Sequence, residues 1–139
     1  MSGDTVVGNS LQFTNDNEYA YAYSGAKTVT ATPSDLLTFE TQSEYIVGEF
    51  KPQQATAAAE GDDMLVNIYF NNIVIVGYVM GKNAFSEYDP AGTTEIKLIV
   101  PPFTRVRVEM DNLSGGTSTM AVTFTGKVGM APRVGNLVE

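Results

Sequence analysis

The chain has 139 residues and contains no Cys, no His and no Trp, while 16 acidic residues against 8 basic ones give a formal net charge of −8. This length fits one compact domain, and the missing residue types exclude disulfides, thiolate nucleophiles, Cys-ligated metals and catalysis by Ser-His-Asp or Cys-His groups. We therefore expect no enzymatic activity and no cofactor. The acidic surface also disfavours direct binding of nucleic acid or of an anionic membrane.

Both ends of the chain are predicted to be extended arms. Residues 1–17 are polar, with several Gly and Asn and no Lys or Arg, and residues 130–139 lack the alternation of a strand. The N-terminal residues also lack the basic and apolar segments of a secretory signal. The predicted organisation is an N-terminal arm over 1–17, a β-sandwich domain over 18–129 and a C-terminal arm over 130–139.

Between the arms, apolar residues recur at every second position. Met120, Val122 and Phe124, for example, alternate with small or polar residues. Successive side chains of a strand point to opposite faces, so this spacing indicates antiparallel sheets with one face toward solvent. Strands are predicted over 18–23, 27–31, 36–40, 44–50, 65–70, 73–79, 95–100, 104–110 and 119–128.

The clearest hairpin covers residues 65 to 79. Its centre is Asn71-Asn72, a pair that tolerates the positive φ angles of a two-residue turn. Residues 53–60 (QQATAAAE) are rich in Ala and predict about two turns of helix, and 81–94 form a second long connection. Short strands separated by turns predict an all-β fold, an antiparallel β-sandwich or a barrel.

Carboxylates are the main acid–base candidates that remain. Glu40, Glu44 and Glu49 are close in sequence, and Asp62-Asp63 are adjacent. Acid–base catalysis needs two carboxylates with separated pKa values in one pocket, and nothing in the sequence predicts such a pocket. The segment 15–18 (NDNE) offers oxygen ligands without the spacing of an EF-hand loop, so a calcium site between subunits stays an alternative.

A row of aromatic residues is one candidate for a subunit interface. Tyr19, Tyr21 and Tyr23 alternate with Ala20 and Ala22. Tyrosine suits half-buried strands, protein interfaces and sugar-binding platforms. We expect core or interface packing, with sugar binding as the alternative.

Three basic residues are a second candidate. Lys97, Arg105 and Arg107 lie on the side opposite the apolar rows of their strands, and they form a small basic patch if those strands pair. Cross-strand pairing with Glu95 and Glu109 is one interpretation. A subunit contact, where Arg is favoured, is the other.

The segment 95–130, EIKLIVPPFTRVRVEMDNLSGGTSTMAVTFTGKVGM, combines a strand ending in Val-Pro-Pro, a Thr-x-Val-x-Val strand, an Asp-Asn turn, a Ser/Thr-rich loop and a final Phe-Thr-Gly-Lys-Val strand. It resembles the head decoration (cement) proteins of tailed bacteriophages, which are of the single jelly-roll type. The resemblance implies an eight-stranded jelly roll that forms a homotrimer on the outer capsid surface of the virion. Such proteins bridge subunits of the major capsid protein and stabilise the shell against the pressure of packaged DNA.

Two other functions stay open. A jelly-roll major or minor capsid subunit or penton subunit is the nearer one, although such subunits more often carry a basic inner arm. A carbohydrate-binding β-sandwich of a phage fibre or a hydrolase is the other. Seven Tyr favour it, and the absence of Trp weighs against it.

Overall fold

The computed structural model describes residues 11–54, 63–80 and 95–129. Within these ranges the chain forms strands and no helix. The strands are β1 (Gln12–Phe13), β2 (Tyr19–Tyr23), β3 (Lys27–Val29), β4 (Ser34–Glu40), β5 (Ile46–Gln54), β6 (Met64–Phe70), β7 (Ile73–Met80), β8 (Ile96–Val100), β9 (Arg105–Asn112) and β10 (Ser118–Val128). Every strand predicted from the alternation is present, with shifted ends.

The strands form two antiparallel sheets packed as a sandwich. Sheet A has the order β1-β2-β10-β5-β8, with β3 also paired to β10, and sheet B has the order β4-β9-β6-β7. The chain changes sheet at every connection from β3 to β10 except the β6–β7 hairpin. This interleaving of two Greek keys is the jelly-roll arrangement, so the predicted all-β sandwich is confirmed.

Three phenylalanines join the two sheets at the centre of the core. Phe39 extends from sheet B, and its ring centroid lies 4.8 Å from that of Phe124 and 6.3 Å from that of Phe50, both in sheet A. The centroids of Phe50 and Phe124 are 4.7 Å apart. Aromatic pairs in this range add about 0.5–1.5 kcal/mol beyond the burial of their surface. The alternation of each strand brings these rings together because all three occupy inward positions.

Two glycines face each other beside this cluster. Gly48 of β5 is the register partner of Gly126 of β10. A Cβ on Gly48 would overlap the ring of Phe124, and a Cβ on Gly126 would lie 2.9 Å from both the Cα of Gly48 and the carbonyl oxygen of Val47. Both positions therefore require glycine because the neighbouring strand and the Phe124 ring occupy the space of a side chain.

The hairpin predicted around Asn71-Asn72 is confirmed. The two asparagines have φ angles of 53° and 68°, as a type I′ turn requires. The turn is also bonded to β9: the N–H of Asn71 donates to the carbonyl of Arg105 at 2.8 Å, and the N–H of Arg105 donates to Oδ1 of Asn71 at 2.9 Å. Asn71 thus serves both the turn and the neighbouring strand.

The helix predicted over 53–60 is wrong at its start. Gln53 and Gln54 continue β5 and pair with Ala121 and Met120 of β10. A helix of two turns is marginal on its own, and pairing with a long neighbouring strand overrides that weak preference. The remaining residues of the prediction, 55–60, lie outside the described ranges, as do the connection 81–94 and the C-terminal arm.

Part of the predicted N-terminal arm is described. Leu11 is buried, and β1 pairs Gln12 with Tyr21 and Phe13 with Ala20. Residues 11–13 therefore extend sheet A. The first ten residues lie outside the described ranges, and the arm as a docking element stays a prediction.

Candidate functional site

The tyrosine row lies on the outer surface of sheet A. Tyr19, Tyr21 and Tyr23 are 50, 48 and 57% exposed, whereas Ala20 and Ala22 are buried. Because β2 alternates with a period of two, the small residues face the core and the rings face outward. Core packing of the tyrosines, one of the two expectations, is therefore wrong, and surface roles remain.

Each tyrosine belongs to a row of outward side chains that crosses the sheet, and Gln12 of β1 lies beyond Tyr21 in its row. We call this surface the tyrosine face; its rows are Tyr19, Lys127, Val47, Ile99; Tyr21, Thr125, Glu49, Lys97; and Tyr23, Thr123, Lys51, Glu95. In the last row, Nζ of Lys51 is 3.7 Å from a carboxylate oxygen of Glu95. Lysines outnumber glutamates on this face, so it is slightly basic although the chain is acidic.

A groove of about 490 Å³ crosses the tyrosine face. Tyr19 and Tyr21 line it on one side, and Glu49 and Lys97 line it on the other. The short side chain of Thr125 lies between them in the row, and this difference in height creates the depression. The groove offers two phenol rings for stacking, together with one carboxylate and ammonium groups for hydrogen bonds.

The groove brings together half of the predicted interface residues. Tyr19, Tyr21 and Lys97 all line it, although Lys97 is far from the tyrosines in sequence. Val47, Thr125 and Lys127 also contribute and were missed in the sequence. They occupy outward positions of β5 and β10, but the alternation does not show which strands flank β2.

The basic patch predicted from Lys97, Arg105 and Arg107 does not form. Strand β8 pairs with β5 in sheet A, whereas β9 pairs with β4 and β6 in sheet B. The chain crosses between the sheets at Pro101-Pro102, so two strands that are adjacent in sequence lie on opposite outer faces. Arg105 is the register partner of Glu40 on β4.

Arg107 is held by partners within its own sheet. Its Nη1 atom lies 3.0 Å from Oδ1 of Asp35 and 3.5 Å from Oε2 of Glu109. The guanidinium carbon is 3.9 Å from the ring centroid of Tyr69, whose hydroxyl donates to Glu109 at 3.1 Å. Desolvation lowers the pKa of Arg107, but the hydrogen bond and charge of Asp35, with the charge of Glu109, raise it by more. The predicted pairing with Glu109 is present, along one strand instead of across two.

Asp16, in the oxygen-rich segment 15–18, stabilises a turn. Its Oδ1 accepts hydrogen bonds from the Thr14 hydroxyl at 2.7 Å and from the N–H of Glu18 at 3.1 Å. These bonds, the one from Thr14 foremost, lower the pKa of the Asp16 carboxyl. In the part of the chain that the structure describes, no group of three or more acidic side chains is placed to hold a metal ion.

No helix in the described ranges has the length and apolar character needed to cross a bilayer.

The fold and the tyrosine face define a β-sandwich of jelly-roll topology with an exposed aromatic surface. No family model and no curated protein matches the sequence. Among solved structures, a β-glucosidase from Paenibacillus barengoltzii aligns with 89% of this chain and 12% of its own length, at a TM-score of 0.44 and 9% identity.

Two further solved structures give weaker alignments, each covering 78% of this chain. Dimeric latent PorU from Porphyromonas gingivalis aligns over 11% of its own length, with a TM-score of 0.37 and 11% identity. The VP2 subviral particle of infectious bursal disease virus aligns over 30% of its own length, with a TM-score of 0.35 and 14% identity. The chain therefore spans a small part of each of these proteins.

Proposed function

We propose that this chain is a non-catalytic structural subunit of a virus particle, which binds the outer surface of an icosahedral phage head and stabilises it by bridging major capsid subunits. The observation that carries this proposal is the tyrosine face. It is an exposed aromatic and aliphatic surface on a rigid sheet.

The composition of the face supports a protein partner. Tyrosine is among the residues enriched in interface cores, and Val47 and Ile99, which are 50 and 62% exposed, add apolar area beside the tyrosines. A rigid sheet loses little conformational entropy when it binds, because its backbone is already ordered. The face therefore suits a broad contact with another folded surface better than it suits a catalytic site.

The charge of the chain supports an external position. A net charge of −8 is unfavourable against packaged DNA, whose phosphates repel an acidic surface. The slightly basic tyrosine face is the side on which the shell would be contacted. The resemblance of residues 95–130 to phage decoration proteins adds the homotrimer as the proposed oligomer.

Binding to heads tests this proposal. Purified chain is added to heads of the virus that encodes it, stripped of accessory proteins, and co-sedimentation is measured. We expect saturable binding, and we expect the double variant Tyr19→Ser, Tyr21→Ser to weaken it at least tenfold. Leu113→Ser is the matched control because Leu113 is also a large apolar residue and is 51% exposed. It lies in the turn after β9, away from the tyrosine face. Absence of binding, or equal loss in both variants, contradicts the proposal.

A carbohydrate-binding module is the second candidate, and the groove favours it. Two neighbouring tyrosine rings beside Glu49 and Lys97 provide stacking surfaces and hydrogen-bonding groups for a sugar. Glycan-array binding by the wild-type chain that Tyr21→Ala abolishes, without any binding to heads, would replace the first function by this one. An empty array removes the second candidate.

A further inference from the structure

The edge of sheet B carries an apolar surface distinct from the tyrosine face. Strand β7 is the last strand in the order of that sheet, and within the described ranges it is paired on one side only, with β6. Four of its side chains are large, apolar and exposed: Ile73 65%, Val74 50%, Ile75 44% and Val79 52%.

The hairpin that contains this strand has no charge. Residues 64–80, MLVNIYFNNIVIVGYVM, include no Asp, Glu, Lys or Arg, in a chain with 24 charged residues among 139, from 8 basic and 16 acidic. Edge strands in soluble proteins are ordinarily protected by charged side chains, by Pro, by β-bulges or by being short. β7 has eight residues and neither charge nor Pro. A bulge leaves Ile75 without a register partner on β6, so Val76–Met80 is the regular stretch.

We propose that β7 is a self-association strand, which pairs antiparallel with β7 of a second copy of this chain and joins two B sheets across a twofold axis. The charge pattern selects a second copy as the occupant. In a twofold contact the same surface patch contributes both sides of the interface, so a patch with a net charge would face a patch of the same sign. Two molecules of net charge −8 therefore avoid direct repulsion where the surface is neutral, as it is over the whole β6–β7 hairpin.

The energetics agree with this choice. Pairing two edges satisfies main-chain groups that otherwise need water, and it brings exposed apolar side chains such as Val79 into contact with the partner strand. Cross-strand contacts between β-branched side chains stabilise paired strands. Because each such contact occurs twice across the axis, a small number of side chains is enough for a reversible dimer. This proposal does not depend on binding to a capsid.

Variants that place a charge on β7 test the proposed self-association. The full chain is analysed by sedimentation velocity over a range of concentrations and at two salt concentrations, because screening weakens the repulsion between acidic copies. We expect the species present at low concentration, monomer or the proposed homotrimer, to associate reversibly as the concentration rises, and to do so more strongly at high salt. We expect Val79→Lys to raise the dissociation constant at least tenfold and Val79→Glu to do the same.

An equimolar mixture of these two variants is the decisive measurement. In a contact between the two variants the new charges are opposite, so association through β7 is expected to return in the mixture although neither variant associates through β7 on its own. Leu113→Lys is the matched control, with nearly the same exposure as Val79, and it is expected to associate like the wild type. Circular dichroism checks that every variant is folded. A wild-type chain whose sedimenting mass does not rise with concentration, or a mixture that fails to associate, overturns the proposal.

Discussion

At the scale of single residues, the closest packing occurs where two strands leave no room for a side chain. Gly126 meets main-chain atoms of Gly48 and Val47, and backbone of a central strand cannot move away without breaking its pairing. We expect Gly126→Ala to lower the free energy of unfolding by about 1–3 kcal/mol, as overpacking typically does. Urea unfolding measures this, with the exposed neighbour Thr125→Ala as control. Equal effects of the two variants would show that β5 and β10 shift apart enough to accommodate the added methyl group.

Tyr78 carries a buried polar atom without a partner. Its hydroxyl is inaccessible and makes no hydrogen bond among the described residues, while the side chain packs against the core. An unsatisfied buried hydroxyl is costly, so Tyr78→Phe is expected to stabilise the protein by about 1 kcal/mol. Tyr23→Phe, whose ring is exposed, should change little in the same urea experiment. Destabilisation by Tyr78→Phe would show that the hydroxyl has a partner.

The same residue predicts an alkaline effect. Burial raises the pKa of the Tyr78 phenol above its ordinary value of 10.0, so the folded protein holds this proton more tightly than the unfolded chain does. The contribution of the protonated Tyr78 phenol to the free energy of unfolding is complete below pH 10, and it is lost as the pH rises above 10. We expect Tyr78→Phe to lose less stability than wild type between pH 9 and 11, in unfolding measured at each pH. Parallel curves for the two proteins would contradict this.

At the scale of elements, the β6–β7 hairpin depends on its turn. Asn72 has a φ of 68°, a left-handed conformation that costs most residues about 1–2 kcal/mol. Asn72→Ala is therefore expected to destabilise the protein by about 1 kcal/mol, whereas Asn72→Gly retains or increases stability because glycine adopts this conformation freely. Thermal unfolding of both variants measures the difference. Equal losses in the two would mean that the Asn72 side chain, and not its backbone angle, matters.

Elements also differ in how far local sequence specifies them. The hairpin follows from two asparagines flanked by β-branched residues, which is a local signal. The extension of β5 through Gln53 and Gln54 has no local signal, because those residues are strand only by pairing with β10. Local preference is a fraction of a kcal/mol per residue, so a long paired neighbour overrides it.

At the scale of the whole molecule, strand order sets which backbone groups are protected. β5 and β10 have neighbours on both sides, whereas β7 and β8 are the last strands of their sheets among the residues that the structure describes. We expect amides of β10 to exchange slowest in hydrogen exchange followed by mass spectrometry, and those of β7 to exchange fast in dilute solution. Protection of β7 should rise with protein concentration, while β8 is the control strand that should not change. Strong protection of β7 at every concentration would show that its edge is already covered.

The whole molecule also explains why half of the candidate site was predictable. Alternation in β2 was enough to place the tyrosines on one face, and Lys97 was a correct choice for an outward position. The grouping of residues was not predictable, because it depends on which strands meet. The sheet order places Lys97 on the side of the groove opposite Tyr21, and it moves Arg105 and Arg107 to the other face of the sandwich.

The sequence by itself determined the all-β sandwich, the strands, the Asn71-Asn72 turn and the absence of His and Cys chemistry. These depend on short-range patterns and on composition, which a single strand or turn already contains. The tertiary structure alone decided the sheet order, the groove on the tyrosine face, the requirement for glycine at Gly126 and the open edge at β7. Each of these depends on pairing between distant segments, and the free energy of that pairing exists only when both strands are in place.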